Sequence, residues 1–325
     1  MSNGKFVVIT SIFSPTPAIN GFAEIKGWQV IVVGDKKTPK GWACDGVRYL
    51  ADSDQTVEKF SIASALPWNH YSRKMIGYLE AIWAGADIIV DTDDDNIPKA
   101  GWEILPFEGC FQHSTEEGYV NIYRYFCDDP VWPRGFPLRH VLSDRQIGEF
   151  PDEASVGVWQ FLADEDPDVD AVYRLVVNKA ISFKERSPII LAPGAICPFN
   201  SQNTAFRKEV FPLLYLPAFV NFRFTDILRG LIAQPILWKF GYRLGFGGAT
   251  VRQERNLHDF MEDFIDEIPM YTHCEGIVDV VEEAISDCET IAGSLVAAYE
   301  SLNDQGIVEV RELELLSLWL EDLKG

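Results

Sequence analysis

The sequence predicts an α/β fold in which a parallel sheet is followed by C-terminal helices. Within the first 90 residues, short apolar segments rich in Val and Ile flank a longer segment of helical periodicity, and this alternation is typical of a parallel sheet with crossover helices. The apolar segments are followed by polar loops, which in open α/β sheets form the ligand site at the carboxyl ends of the strands. Beyond about residue 266 the pattern becomes strongly helical.

The first predicted strands lie close to the N-terminus. Residues 5–11 are predicted as a buried strand, because their apolar run is short and is followed by a loop that contains two prolines. A second strand is predicted at residues 28–33, which lead into the polar loop 34–39, and a shorter third strand at residues 47–50. The polar residues that follow these strands are candidates for a ligand site.

A helix is predicted over residues 69–86, where apolar residues recur at spacings of three and four. Its predicted polar face carries Arg73 and Lys74. The helix leads into a short apolar strand at residues 87–90, and an acidic cluster begins at Asp91.

The rest of the chain divides into two parts. Residues 101–198 are aromatic and contain several Pro-rich segments, so they are predicted to be largely irregular loops of the kind that often carry binding function. Residues 277–296 form one amphipathic helical stripe, and the leucines of residues 313–323 form another. Both stripes are predicted to be packing helices.

Composition limits the classes of partner. The 325 residues include 28 basic and 49 acidic side chains, and the resulting net charge of −21 opposes nonspecific binding to nucleic acid or anionic lipid. No apolar run approaches the roughly 20 residues of a membrane helix, and no secretory signal is recognised, so we expect a cytoplasmic location and no membrane span. The six cysteines form no Cys-x-x-Cys pair and are expected to be reduced.

The segment 91–96, Asp-Thr-Asp-Asp-Asp-Asn, places four carboxylates within five residues. Several ionised carboxylates at close range are unfavourable unless a cation neutralises them. Hard oxygen ligands favour Mg²⁺ or Mn²⁺, which commonly bind one or two carboxylates together with phosphate oxygens and water. The cluster therefore predicts a divalent cation that holds a diphosphate and offsets the charge developing on it as a leaving group.

Three other interpretations of this segment compete. A calcium loop has Gly at the sixth position and Glu at the twelfth, whereas Asn96 and Trp102 occupy these positions. A phosphatase with an aspartyl nucleophile also begins with Asp-x-Asp after a buried strand, but Asp95 stands where Thr or Val is usual. The third alternative is a solvated acidic turn.

Segments over most of the chain resemble the STELLO glycosyltransferases, whose relatives include the reversibly glycosylated polypeptides that act as UDP-arabinopyranose mutases. The resembling segments are residues 28–39, 66–74, 77–79, 93–96, 132–138, 164–175, 199–204, 222–230 and 253–259. Each segment alone is weak, and together they are highly specific. Plant members of the family look membrane-anchored, whereas no transmembrane segment is predicted here, so the Golgi location is not carried over.

The resemblance implies a GT-A fold, a Rossmann-like sheet that binds a nucleotide sugar at its carboxyl edge. It places a GT-A glycosyltransferase domain at residues 1–265, with a nucleotide-sugar-binding part at 1–100 and an acceptor and catalytic part at 101–265. Residues 266–325 are expected to form a C-terminal helical extension.

The resemblance also implies ligands for the metal and the donor. Asp93 and Asp95 are the expected metal ligands of the Asp-x-Asp pattern, and His258 stands where GT-A enzymes often supply a further ligand. The residues expected to contact the nucleotide sugar are Thr10, Ser11, Asp35, Arg73, Lys74 and Asp94. The alternatives are turn or cap roles for the strand-end residues, an exposed helix face for Arg73 and Lys74, and a structural role for His258.

On the acceptor side, Asn200, Ser201, Gln202 and Asn203 offer neutral donors and acceptors that suit sugar hydroxyls, or alternatively form a polar loop that caps a helix. Arg134 lies in Trp-Pro-Arg-Gly-Phe-Pro, which resembles the segment that carries the self-glycosylated arginine of the reversibly glycosylated polypeptides. Arg134 is therefore a candidate sugar-binding residue, although pairing with a phosphate or a buried carboxylate is the interpretation we favour.

Asp226 resembles the acidic motif that supplies the catalytic base in inverting GT-A enzymes. A salt bridge to Arg223 or Arg229 would lower its pKa and weaken it as a base. The alternative is a buried Asp that ties these two arginines in place.

The expected function is transfer of a sugar from a nucleotide-diphosphate donor, UDP-linked by resemblance, to a glycan or other acceptor hydroxyl, with Mn²⁺ or Mg²⁺. Two alternatives stay open. One is a sugar-nucleotide mutase that interconverts pyranose and furanose forms, and the other is a noncatalytic scaffold that keeps the fold for assembly. The sequence is compatible with an oligomer.

Overall fold

The structure, a computed structural model, describes residues 4–143, 147–254 and 259–324. Its strands are β1 (Lys5–Thr10), β2 (Gln29–Val33), β3 (Val47–Leu50), β4 (Ile88–Thr92), β5 (Asn96–Pro98), β6 (Glu108–Ser114), β7 (Gly118–Tyr119), β8 (Glu149–Asp164), β9 (Ile189–Ile190), β10 (Ala195–Ile196), β11 (Asn203–Arg207) and β12 (Arg243–Gln253). Its α-helices are α1 (Pro17–Ala23), α2 (Lys74–Trp83), α3 (Tyr123–Phe126), α4 (Ala171–Val176), α5 (Thr225–Lys239), α6 (Phe260–Ala284), α7 (Ile291–Asp304) and α8 (Val310–Asp322). Short 3₁₀ helices lie at Asp52–Asp54, Ser61–Ser64, Tyr71–Arg73, Leu138–His140 and Lys208–Leu214.

Most of the strands form one large mixed sheet with a parallel half. Strands β3, β2, β1 and β4 are neighbours in that order and run parallel. Strand β11 is antiparallel to β4, and the sheet continues through β8, β6, β9, β12 and β5. Because parallel strands end at the same edge, the carboxyl ends of β1, β2 and β4 lie together, which is the arrangement that the GT-A expectation requires.

The predicted α/β class with C-terminal helices is confirmed. The four predicted strands correspond to β1 through β4, and the interiors of β1, β2 and β4 are buried, as expected for parallel strands covered on both faces. The helix predicted at residues 69–86 is shorter and consists of a 3₁₀ turn followed by α2. The alternative of an exposed helix face for Arg73 and Lys74 is wrong, because both side chains are fully buried.

The prediction that residues 101–198 are largely irregular is wrong in part. This segment contributes β6 and the 16-residue strand β8, which pairs with β6, β11 and β12. The first five residues of β8, 149–153, are exposed and include Pro151, and this polar beginning hides the strand pattern. The second half of β8 is apolar and lies in the middle of the sheet.

The C-terminal helices share a hydrophobic core with the sheet. The stripe predicted over residues 277–296 is divided between α6 and α7, whereas the second predicted stripe corresponds to α8. The Asp322 carboxylate at the end of α8 accepts hydrogen bonds from the backbone N–H groups of Ser61 and Ile62, each at 2.9 Å. Helix α6 begins at Phe260, so the expected domain boundary at residue 265 falls inside a helix, and the division into domain and extension stays a prediction.

Within the described ranges, none of the helices is at once long enough and apolar enough to span a bilayer.

Candidate active site

A cavity of about 340 Å³ opens at the carboxyl edge of the parallel half of the sheet. Its volume is within the range of small-molecule sites. The residues that follow β1, β2 and β4 form one side, and the segments around Arg134 and Asp226 form the other. The predicted site residues that line the cavity are Thr10, Ser11, Asp35, Arg73, Asp93, Asp94, Asp95, Arg134, Gln202 and Asp226.

The acidic cluster begins with a structural carboxylate, Asp91, which is fully buried in β4. Its Oδ1 accepts a hydrogen bond from Lys74 Nζ at 2.9 Å, and its Oδ2 accepts one from Arg229 Nη1 at 2.8 Å. Lys74 Nζ also donates to the Thr92 carbonyl at 2.8 Å and to Asp93 Oδ1 at 2.9 Å. Burial opposes the charge of Lys74, but Asp91 and Asp93 outweigh burial and raise its pKa.

The donor contact predicted for Lys74 is therefore corrected. An ammonium group has three hydrogen-bond donors, and Lys74 uses them on Asp91, Thr92 and Asp93 without lining the cavity. The side chain neutralises the buried end of the acidic cluster.

The carboxylates that follow Asp91 face the cavity and are crowded. Burial raises the pKa of Asp93 to about 7, against the opposing effect of Lys74, and the neighbouring charge of Asp95 adds to the rise. Burial likewise raises the pKa of Asp94 to about 6, although a hydrogen bond from Ser11 Oγ opposes this shift. The protein's own cations thus compensate the negative charge of this loop incompletely, and a bound cation would be stabilising.

The residues present fit a divalent cation that binds together with a diphosphate. Asp93 and Asp95 line the same cavity, and Lys74 bonds only Oδ1 of Asp93. Among the described residues, no three His, Cys, Asp or Glu side chains form a group that could hold a metal, and the predicted third ligand His258 lies outside those residues. Two carboxylates suit Mg²⁺ or Mn²⁺ when phosphate oxygens and water complete the coordination.

Arg73 supplies a buried positive charge to the cavity. Its Nε donates to Gln55 Oε1 at 2.6 Å, its Nη1 donates to backbone carbonyls, and its guanidinium group stacks 3.5 Å from the ring centre of Trp68. All of these partners are uncharged, and Nη2 has no hydrogen-bond partner among the described residues. Burial lowers the pKa of Arg73 to about 10, and Asp35 partly opposes the shift.

Asp35 follows β2 and holds the loop that precedes α2. Its two carboxylate oxygens accept hydrogen bonds from the backbone N–H of Asn69 at 2.9 and 2.8 Å. Asn69 has a φ of +56°, in the left-handed region that Asn tolerates better than most residues. Such backbone conformations often persist at ligand sites because the surrounding structure holds them.

Arg134 joins two carboxylates on the opposite side of the cavity. Its Nε and Nη2 donate to the two oxygens of Asp168, each at 2.8 Å, and Nη2 also lies 3.0 and 2.9 Å from the two oxygens of Asp226. Its Nη1 donates to the carbonyl of Arg223. The pairing with buried carboxylates that we favoured for Arg134 is therefore observed, whereas sugar binding by this residue stays a prediction.

Asp226 lies in the first turn of α5 and pairs with Arg134, not with the two arginines of the structural alternative. Burial acts to raise its pKa, but the charge and hydrogen bonds of Arg134 outweigh burial and lower the pKa. Arg223 instead donates to Glu267, and Arg229 donates to Asp91. The predicted role of Asp226 as a base stays a prediction, and the pairing with Arg134 makes it a weaker base.

The sugar-binding role predicted for Asn200 and Asn203 is corrected, because neither side chain lines the cavity. Asn200 Oδ1 accepts a hydrogen bond from the backbone N–H of Gln202 at 2.9 Å, and Asn203 Nδ2 donates to Thr250 Oγ1 at 2.8 Å. The amide of Asn200 thus stabilises the loop before β11, and that of Asn203 joins β11 to β12. Gln202 does line the cavity, and its Nε2 donates to Gln253 Oε1.

The sequence interpretation assigned no role to several side chains that line the cavity. These are Asn69, His70, Tyr71, Asp168, Phe222 and Gln253. All of them lie in segments that carry the family resemblance, so a signal was present. No local pattern separates them from neighbours that only support the fold.

Comparison with known proteins identifies relatives of the whole chain. A model of the STELLO glycosyltransferase family matches residues 223–325. Two Arabidopsis thaliana proteins, the probable glycosyltransferases STELLO2 and STELLO1, are 29% and 28% identical to this chain over 98% of its length. The resemblance to the STELLO glycosyltransferases is confirmed. The chain spans only 44% of the length of these two STELLO proteins.

Solved structures that align with the chain are more distant. Glucosyl-3-phosphoglycerate synthase from Mycobacterium tuberculosis, in complex with phosphoglyceric acid, aligns with a TM-score of 0.42 and 10% identity over 84% of this chain and 80% of that chain. A complex of the same enzyme with Mn²⁺, UDP-glucose and glycerol 3-phosphate aligns with a TM-score of 0.39 and the same identity and coverage.

Proposed function

We propose that this STELLO relative is a glycosyltransferase that transfers a sugar from a nucleotide-diphosphate donor, UDP-linked by family resemblance, to an acceptor hydroxyl in the presence of Mn²⁺ or Mg²⁺. One observation carries the proposal. The crowded carboxylates of residues 93–95 and the Arg73 guanidinium group, whose Nη2 has no hydrogen-bond partner among the described residues, line one cavity at the carboxyl edge of the parallel strands. A cation-bound diphosphate is a ligand that satisfies both features.

Asp93 and Asp95 are the residues that would hold the cation. When bound, the cation would supply positive charge that stabilises the departing nucleoside diphosphate. Lys74 holds Asp93 in place through Oδ1, and Gln253 Nε2 holds Asp95 through Oδ2 at 3.0 Å. Both ligands are thus oriented before a donor arrives.

The nucleotide portion of the donor is assigned to the ends of β1 and β2. Thr10 is the last residue of β1, Ser11 follows it, and Asp35 follows β2. Arg73 is assigned to the anionic diphosphate, because its Nη2 has no partner within the described part of the chain. Asp94 is assigned to the ribose or the donor sugar, because it faces the cavity beside Ser11.

Asp226 is the proposed base for the acceptor hydroxyl, and its pairing with Arg134 lowers its basicity. A carboxylate that is paired with a guanidinium is ionised over the physiological pH range but binds a proton less strongly. This pairing also favours a second candidate function, a sugar-nucleotide mutase, because a mutase needs no base for an external acceptor.

The proposed donor site is tested by measuring thermal stabilisation with a panel of nucleotide sugars, each with Mn²⁺ and with EDTA. A ligand that binds only the folded state stabilises it by about 2.7 kcal/mol at 100 times its Kd. We expect UDP-sugars to raise the melting temperature with Mn²⁺ and to lose most of that effect in EDTA. Stabilisation that ignores the cation, or no stabilisation by any nucleotide sugar, contradicts the proposal.

A further inference from the structure

Two hydroxyl groups that line the cavity have no hydrogen-bond partner among the described residues, namely Tyr71 Oη and Ser201 Oγ. Ser201 is only 3% exposed. Buried hydroxyl groups are nearly always hydrogen-bonded, because leaving one unpaired costs free energy. A ligand that supplies hydroxyl partners at this place would remove that cost.

Both hydroxyls lie at the Asp226 end of the cavity. The Ser201 backbone N–H donates to Asp226 Oδ2 at 3.1 Å. Burial, together with the nearby charge of Asp226, raises the pKa of Tyr71 far above its usual value. Tyr71 therefore keeps its proton and can both donate and accept a hydrogen bond.

The cations at this end of the cavity are already compensated. Arg134 bonds Asp168 and Asp226, and Arg223 bonds the fully buried carboxylate of Glu267 at 2.6 Å. Among the described residues at this end, the carboxylates are at least as numerous as the guanidinium groups, so an anionic ligand would find no excess positive charge on them. The donor end differs, because Arg73 has only uncharged hydrogen-bond partners.

An apolar surface lies beside the two hydroxyls. Phe222 is 49% exposed and packs edge-on against Tyr71 at 4.9 Å and against His70 at 5.3 Å between ring centres. Burial lowers the pKa of His70 to about 4, so this ring is neutral at physiological pH. A sugar ring combines hydroxyl groups with an apolar face, and both features find partners here.

We propose that the Asp226 end of the cavity binds the acceptor as a neutral carbohydrate, with Tyr71 Oη and Ser201 Oγ bonded to its hydroxyls and Phe222 packed on its apolar face. This proposal rests on the proposed glycosyltransferase function and specifies its acceptor class. Phosphorylated and carboxylated acceptors are disfavoured because the surrounding arginines already carry carboxylate partners.

The binding test uses the full chain with UDP and Mn²⁺, and it requires no turnover. Glucose, galactose, mannose and xylose are titrated as neutral probes, and glucose 6-phosphate and glucuronic acid as anionic probes, with binding followed by saturation-transfer NMR. We expect at least one neutral sugar to bind and both anionic probes to bind roughly tenfold more weakly or not at all.

Two variants test the assigned hydroxyls. Ser201→Ala and Tyr71→Phe are each expected to weaken binding of the neutral sugar by about 2- to 10-fold, the range for one lost hydrogen bond. The matched controls are Ser294→Ala and Tyr78→Phe, which remove buried hydroxyls that also have no partner in the described residues but lie outside the cavity lining. Both controls should bind the neutral sugar as the unaltered protein does.

The outcomes separate the two proposals. If UDP with Mn²⁺ fails to stabilise the protein, the proposed function fails, and the acceptor assignment falls with it. If UDP and Mn²⁺ bind but no neutral sugar does, the acceptor assignment alone is overturned. Anionic probes that bind as tightly as their neutral counterparts, or Ser201 and Tyr71 variants that match their controls, overturn it as well.

Discussion

Arg134 Nη2 lies 3.0 Å from Asp226 Oδ1 and 2.9 Å from Asp226 Oδ2, although 92 residues separate the two in sequence. The same guanidinium group binds Asp168 through Nε and Nη2. Arg134 therefore stabilises the ionised form of Asp226, and proton transfer to this carboxylate must overcome that stabilisation. This relationship makes the catalytic role of Asp226 directly testable.

For Asp226→Asn we expect normal folding, near-normal binding of UDP and Mn²⁺, and a turnover with acceptor that is lower by about 10²–10⁴-fold, the usual contribution of a general base. The substitution keeps the shape of the side chain and removes its basicity. Turnover is measured from release of UDP with and without acceptor.

The matched control for Asp226 is Glu80→Gln. Glu80 is also a buried carboxylate paired with cations, Arg48 and Lys59, but it lies outside the cavity lining. Its variant should keep full turnover. If Asp226→Asn turns over at a rate close to that of the unaltered protein, Asp226 is not the base, and a retaining or mutase mechanism becomes the better account.

A second prediction concerns the fully buried ammonium of Lys74. Lys74→Met removes the partner of Asp91 and Asp93 and leaves buried negative charge, which typically costs about 3–5 kcal/mol. Urea unfolding measures this loss of stability. Lys99→Met is the control, because the pair of Lys99 with Asp164 is partly exposed and such pairs contribute about 0–1 kcal/mol. Equal losses in both variants would contradict the buried role of Lys74.

A third prediction follows from His70, whose pKa is lowered from 6.5 to about 4 by burial. The folded protein then binds fewer protons than the unfolded chain between these values, so this group contributes stability above pH 6.5 that is lost as the pH falls towards 4. In the unaltered protein, His70 Nδ1 accepts a hydrogen bond from the Ser72 N–H at 3.2 Å. His70→Asn removes the titrating ring and keeps an acceptor for this N–H group.

Urea unfolding of both proteins at pH 7 and pH 5 is the measurement for His70. The variant should lose less stability than the unaltered protein when the pH is lowered. An identical loss in the two proteins would show that His70 titrates normally in the folded state.

A fourth prediction concerns the C-terminal helices. Trp319 in α8 is fully buried, and its Nε1 donates to the Pro212 carbonyl at 3.1 Å, so Trp319→Ala should cost about 3–5 kcal/mol. Because these helices share a core with the sheet, we expect one cooperative unfolding transition that moves as a whole. Val310→Ala on the exposed face of the same helix should change stability by no more than about 0.5 kcal/mol. Two separate transitions, with only one shifted by Trp319→Ala, would support an independent extension.

Sequence patterns located the parallel half of the sheet because its strands are short apolar runs between polar loops, as in residues 28–33. They did not locate β8, since its first half, which pairs with β6, is polar and shows no apolar run. They also placed Lys74 on the polar face of a helix. Helical periodicity is a local property, whereas the buried partner of Lys74, Asp91, lies in another element, β4.

The same limit applies to the candidate site. The acidic loop was evident because its carboxylates are adjacent in sequence, and the resemblance indicated Asp226 and Arg134. Their mutual pairing was not predictable, since it depends on how α5 approaches the loop that carries Arg134. The unpartnered hydroxyls of Tyr71 and Ser201 are likewise visible only when the surrounding atoms are placed.

In the proposed function, a divalent cation held by Asp93 and Asp95 binds the donor diphosphate. Calorimetric titration of UDP, and of the UDP-sugar selected by thermal stabilisation, in Mn²⁺ and in EDTA tests it most directly. Asp95→Ala is compared with Asp45→Ala, an exposed carboxylate outside the cavity lining. We predict that affinity falls at least tenfold in EDTA and that Asp95→Ala abolishes this dependence, whereas Asp45→Ala keeps it. Equal affinity in Mn²⁺ and in EDTA for the unaltered protein would contradict the account.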